Sequence, residues 1–341
     1  MKKLTLFFAS LFIPFGLLAQ LDPGPTVAGS RADANYLAEG YLSPLGDALS
    51  SSLNNGWYNT AKTKKTLRFE LGLHTTIVFV PDEATTFTIL DSELQELSLV
   101  DPTDNVTPTA FGDDESGVEL EYDDPTIPTN IDGQRFRMPS GSGLQVFPLP
   151  IPQLGVGLPL NSEISIRYLP QITAPVAEQT DINLFGIAVK HDIKQWIPGL
   201  KRVPILSLSA FLGYTSFGFE QGIDDPEFDD QKLIIDSEAF TARLLASAKL
   251  AFVTAYGGFG YNSGSSQIQI QGTYPYLDPT NPLDPVTTLT DPVNFTVEGA
   301  NGFVGNLGVR LKFLFVAYFH ADYTFGAFNA LTSGLGVSID F

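Results

Sequence analysis

From residue 66 onward the chain alternates between apolar and polar positions. In residues 67–79 the odd positions are Leu67, Phe69, Leu71, Leu73, Thr75, Ile77 and Phe79, with Arg68, Glu70, His74 and Thr76 between them. A period of two puts these sets on opposite faces of a strand. The run exceeds the roughly five to six residues usual in soluble sheets and suits a tilted membrane strand of about ten. Similar runs return downstream. Ile164, Ile166 and Tyr168 oppose Glu163, Ser165 and Arg167, and Phe240, Ala242, Leu244, Ala246 and Ala248 oppose Thr241, Arg243, Ser247 and Lys249. Phe303, Gly305, Leu307, Val309, Leu311 and Phe313 oppose Asn306, Arg310 and Lys312. Phe315, Ala317, Phe319, Ala321, Tyr323 and Phe325 then oppose Tyr318, His320, Asp322 and Thr324, and Leu331, Leu335, Val337, Ile339 and Phe341 oppose Thr332, Ser338 and Asp340. One face is apolar with aromatic ends and the other polar or small, as expected with lipid outside and a wet lumen inside.

The connections are of two kinds. Residues 101–108, 123–133, 222–230 and 274–292 are long and rich in Asp and Pro, whereas those near Ala251 and Leu314 are tight. Long loops on one side and short turns on the other mark an outer-membrane barrel. With residue 341 in the periplasm, the turn at 327–330 is extracellular, that near Leu314 periplasmic, and the loop 272–294 extracellular. The turn near Ala251 is then periplasmic, the loop 221–236 extracellular, and 191–202 periplasmic. The N-terminal third is less orderly, and runs around 94–100 and 145–158 leave the total open. The expected fold is all-β, a transmembrane antiparallel barrel of about 12–14 strands spanning residues 66–341.

Residues 20–65 have a different period. Leu37, Tyr41, Leu45, Leu49 and Leu53 recur every four residues, the spacing of one amphipathic helix or of two short ones broken at Pro44. Asn54-Asn55-Gly56 closes the segment as a turn. It is expected either to pack at the periplasmic rim or to enter the barrel as a plug. Residues 1–19 carry Lys2 and Lys3, an apolar run and Ala19, the pattern of a secretory signal peptide. Beyond them no apolar run approaches the length a membrane helix needs, so any membrane crossing is by barrel strands.

Composition narrows the chemistry. With 26 Phe, 12 Tyr and 31 Gly against two Met, the chain favours strands. A net charge of -19 argues against nucleic acid, which requires a clustered basic face. The absence of cysteine removes disulfides, thiolate metal sites and a lipid anchor. His74, His191 and His320 are the only histidines, and none has ligand spacing with another, so no metal, cofactor or catalytic centre is expected. The acidic groups Asp113-Asp114-Glu115, Asp123-Asp124 and Asp224-Asp225 lack the order of a calcium loop and read as solvated.

The inward-facing charges are the candidate site. Arg68, Arg167, Arg243, Lys249, Arg310 and Lys312 fall on lumen positions, with Glu70, Glu163 and Asp322, and His74 and His320 share that face. Such charges either pair to fill and rigidify a narrow barrel or line it for an anionic or amphipathic solute. Residues 191–202 read as a short helix at the periplasmic membrane edge. There His191 caps, Trp196 sits in the interface, and Lys190, Lys194, Lys201 and Arg202 reach lipid phosphates.

The segment 191–199 (His-Asp-Ile-Lys-Gln-Trp-Ile-Pro-Gly), preceded by 186–190 and followed by 207–215, resembles a recurring segment of an uncharacterised Bacteroidota outer-membrane family. The stretches around Asn35-Tyr36-Leu37 and Asn55-Gly56-Trp57-Tyr58 are similar to the start of that family. The resemblance implies a barrel distantly similar to FadL-type fatty acid transporters, with an N-terminal hatch in the lumen, and it implies no assigned activity. The Asn-Pro-Ala sequence of the FadL-type hatch is not present here. Phe341 resembles the terminal aromatic read by the barrel-insertion machinery. The expected function is a channel or transporter for small hydrophobic or amphipathic solutes in the outer membrane, in contact with its lipid. The alternative is a closed barrel serving as a structural or secretion-system partner.

Overall fold

The computed structural model describes residues 26–122, 135–173, 180–223, 230–277, 286–314 and 316–339. Residues 1–19, expected to be a signal peptide, and Phe341 lie outside them. Helix α1 (Arg31–Asn54) precedes β1 (Phe69–Phe79), which is followed by five short strands that never join the wall. These are β2 (Thr86–Thr88), β3 (Leu97–Leu99), β4 (Val106–Pro108), β5 (Glu119–Tyr122) and β6 (Arg135–Arg137). The wall resumes with β7 (Val146–Leu158), β8 (Ser162–Thr173), β9 (Thr180–Asp192), β10 (Leu206–Gly222), β11 (Lys232–Leu250) and β12 (Val253–Gln271). A hairpin of β13 (Thr273–Leu277) and β14 (Val286–Thr290) leads to β15 (Val293–Glu298), β16 (Gly302–Phe313), β17 (Ala317–Phe325) and β18 (Ala330–Ser338).

β15 and β16 pair in turn with the far and near halves of β12, so they act as one interrupted strand. β11 pairs with β12, and β1 with β18, which closes a ten-stranded antiparallel barrel. The count is lower than the twelve to fourteen expected, for two physical reasons. β10, β11 and β12 are 17, 19 and 19 residues long and absorb sequence that shorter strands would have shared out. Residues 80–122 and 135–145 build a cap of small sheets over one mouth instead of adding to the wall.

The polarity of the wall inverts along its height. Near the short turns the outward residues are apolar, for example Phe240, Leu244, Phe259, Leu307 and Phe319, and the inward ones are polar, among them Thr241, Arg243, Asn306 and His320. Towards the long loops the outward residues become Asp236, Glu238, Gln267 and Gln269, while Leu233, Ile235, Phe217, Phe219, Ile182, Ile268 and Ile270 turn inward and are buried. The apolar belt ends at a ring of aromatics that includes Phe79 against Tyr323 and Phe259 against Phe303. Such a girdle marks the membrane boundary, so the wall projects beyond the bilayer on the long-loop side. The expected polar inner face holds only in the membrane half, because outside the bilayer the wall buries apolar surface inward as any soluble barrel does.

The inversion dictates how each half is filled. Helix α1 occupies the projecting half, with Leu37, Leu42, Leu45, Leu49 and Leu53 fully buried against the apolar wall. Burying each such leucine is worth roughly 1.5–3 kcal/mol. Ser30 caps α1 in a reciprocal box with Asp33, whose carboxylate also accepts from the backbone of Gln95 and Glu96 in the cap. The helix is continuous through Pro44, where two short helices were an alternative, because the enclosing wall outweighs the local cost of proline. From Asn55 the chain continues as an irregular strap through the membrane half and leaves at the short-turn mouth, where Gly157 donates to the Arg68 carbonyl and accepts from the Leu67 amide. Residues 26–65 thus run inside the wall, largely buried against it.

Candidate functional site

The strap is held by layers of polar contacts. At its top, two wall arginines terminate α1. Arg167 donates to the carbonyls of Leu53 and Asn55 at 2.9 and 2.6 Å and stacks 3.7 Å from the Trp57 ring. Arg243 donates to Asn55 Oδ1 at 2.8 Å and to the Tyr58 hydroxyl at 3.1 Å. α1 has no basic residue in its last turn, and the wall supplies the cations its carbonyl end favours.

Below lies a buried chain. Nδ1 of His74 is 2.8 Å from Nε2 of His320, whose Nδ1 is 3.0 Å from the Tyr256 hydroxyl. Tyr256 donates to Asp322 at 2.7 Å, and Asn306 joins Asp322 to Tyr58. At the short-turn end Lys64 of the strap pairs with Glu163 at 2.6 Å, and Lys190 pairs with the same carboxylate at 3.1 Å. Arg310 donates to Glu70 and Asn59, both at 2.8 Å.

The expected lumen residues therefore come together, but they face a strap and not an open channel. Glu70, His74, Arg167, Arg243, Arg310, His320 and Asp322 are buried in these layers. Lys249 and Lys312 lie at the mouth, and Arg68 is half-buried just before β1. Lys190, expected at the lipid edge, points inward, as its place in the alternation of β9 dictates. Residues 191–202 form the end of β9 and two single 3-10 turns. Lys194 turns back to the carbonyls of Val203 and Leu206, away from lipid phosphate. Trp196 is 68 % exposed and packs on the His191 ring. His191 bonds Ser162 through Nδ1, while its Nε2 faces the amide nitrogen of Gln195, an arrangement that makes Nδ1 the donor towards the serine. Lys64 and Asn59 were not read from the sequence, and Trp57 and Tyr58 only as part of a family resemblance, because an irregular strap has no period.

A second feature lies in the wall. β7 pairs with β1 along residues 146–156, but with β8 only from the Gln153–Arg167 pair downward. Among the described residues, neither residues 146–152 nor 168–173 have a ladder partner across this seam. Pro148, Pro150 and Pro152 account for it. Gly157 and Gln145 bond towards β1, so odd residues of β7 face β1 and even ones face β8. The three prolines thus stand where donors to β8 would be, and proline has none. β8 is irregular at the same height, between Leu169 and Ile172 around Pro170. Phe79 pairs with Val146, so the seam begins at the aromatic ring and runs down into the outer part of the belt.

A closed antiparallel barrel with an apolar belt, an aromatic girdle and alternating long loops and short turns has the fold of an outer-membrane β-barrel. The chain belongs to a family of unknown function, DUF6588, whose model matches residues 1–339. No curated protein sequence matches it significantly. Solved structures similar to it include the outer membrane protease OmpT from Escherichia coli, at 8% identity over 84% of this chain and 97% of that one, with a TM-score of 0.32. The attachment invasion locus protein Ail of Yersinia pestis is 7% identical over 80% and 97%, with a TM-score of 0.26. The P. putida toluene transporter TodX is 12% identical over 82% and 69%, with a TM-score of 0.26.

Proposed function

We propose that the protein transports small hydrophobic or amphipathic solutes across or into the outer membrane, and that they exchange sideways through the β7–β8 seam. The proline-cut seam carries this reading. An unpaired strand edge in lipid is costly because its donors go unsatisfied, and three prolines remove those donors over five residues. The seam borders the apolar interior around α1, where Phe147, Leu149 and Ile151 are buried. An apolar solute leaving there enters lipid without crossing the polar layers below, and the strap fills the axial route. A second reading, a closed barrel that serves as a partner or scaffold, draws on the filled lumen.

The test is uptake of a labelled medium-chain amphiphile by proteoliposomes. Restoring donors with Pro148→Val, Pro150→Thr and Pro152→Val is expected to reduce transfer at least tenfold while leaving the folded gel mobility of the barrel unchanged. Transfer by the native protein no faster than by protein-free liposomes would sink the transport reading and leave the scaffold.

A further inference from the structure

We propose that the short-turn mouth is a binding site for a small multivalent oxyanion of the phosphate class, either inorganic phosphate or a phosphate monoester. A cavity of about 200 Å³ opens there between the strap and β1, β11, β12 and β16. Among the described residues six cations line it, Lys62, Lys64, Lys65, Lys249, Arg310 and Lys312, with Glu70 as the one lining carboxylate. In a chain of net charge -19, a third of all lysines and arginines gather at one opening.

Their pairing leaves charge over. Lys64 and Arg310 are engaged by Glu163 and Glu70. Among the described residues, no carboxylate lies within ion-pair distance of Lys62, Lys65 or Lys249. Arg310 is more than nine-tenths buried, and its Nε has no acceptor. A buried donor left without a partner costs about 1–3 kcal/mol, and an anion in this cavity would remove that cost.

The donor set selects the anion. Each terminal nitrogen of Arg310 already holds one partner, Asn59 or Glu70, so Arg310 offers an incoming anion chiefly its Nε–H. What remains is one Nε–H, the ammonium groups of Lys62, Lys65 and Lys249, and the hydroxyls of Thr63 and Thr254, all lining the cavity from separate elements. Point charges from several directions suit a tetrahedral group with three or four oxygens. The surplus of positive charge favours a dianion. The cavity is too small for a macromolecule. Lys249 and Lys312 lie on the inward face of their strands, so a lipid phosphate on the outer wall does not meet them.

This site stands independently of the seam, and its test has no transport readout. The full chain, in a detergent without phosphate, is titrated calorimetrically with inorganic phosphate and with glycerol phosphate at constant ionic strength against chloride. Saturable one-to-one binding is expected, weakening as pH falls and the dianion takes up a proton. Lys62→Gln with Lys249→Gln, two exposed positions, should weaken it at least tenfold without altering folded gel mobility. A parallel titration in nanodiscs with and without phosphatidylglycerol separates the sources. Unchanged affinity upholds a soluble phosphate as the ligand, and competition by the anionic lipid overturns that assignment. No saturation above the chloride control, or equal binding by the double variant, overturns the proposal.

Discussion

Arg167 terminates a helix to which it does not belong. Fully buried, it bonds two carbonyls at the end of α1 and the side chain of Gln153. Replacing it with Met orphans two buried acceptors, so a loss of roughly 2–6 kcal/mol is expected, at about 1–3 per acceptor, measured by urea unfolding in detergent. Glycine acts at the same scale where the wall meets its contents. A Cβ on Gly334 would overlap His320 Nε2 and lie 2.8 Å from His74 Nδ1, and Gly334→Ala should cost about 1–3 kcal/mol by overpacking. Asp47, on α1 in the projecting half, has its carboxyl pushed up to about 6 by burial. A carboxyl raised above its unfolded value stabilises the fold while protonated, and that contribution is lost as pH rises from about 4 to about 6. Asp47→Asn should therefore flatten the melting profile across that window and raise stability at pH 7.

At the scale of elements, the sequence was legible wherever a strand crosses the belt with lipid on one side. β1, β8, the lower part of β11, and β16 to β18 present the faces that their alternation implied, and the connections fall at the expected ends. Legibility fails for physical reasons in three places. In the projecting half of β10 to β12 the polarity is reversed, so one strand carries two opposite patterns. In β7 three prolines face outward and mimic a loop, while Phe147, Leu149 and Ile151 carry the inward pattern. In the cap the strands are only three or four residues long, too short for a period to emerge. The four-residue spacing of α1 did announce a helix, but not which cavity would receive it. Ser30→Ala removes a reciprocal cap, and about 1 kcal/mol of stability should go with it, seen as faster hydrogen exchange in the first turn of α1.

For the whole molecule, the strap separates an axial from a lateral route. Thr60 and Ser247 hydroxyls lie 3.2 Å apart across the strap–wall boundary, and the native chain has no cysteine. Thr60→Cys with Ser247→Cys should therefore form a single disulfide that pins the strap. Amphiphile transfer in the oxidised variant is expected to stay within twofold of the reduced form. Loss of transfer on oxidation, restored by reductant, would place the route along the axis.

The strap also sets an order of events in biogenesis. α1 begins among the long loops, and the chain leaves the opposite mouth to start β1, which pairs with the last strand, β18. The ring is thus sealed by its first and last strands around a thread made earlier in the same chain, and the start of α1 has to be on the long-loop side before sealing. A rapidly folding domain inserted just ahead of α1 should stall the barrel with its seam between β1 and β18 unsealed, whereas the same domain kept unfolded until late should end up on the long-loop side.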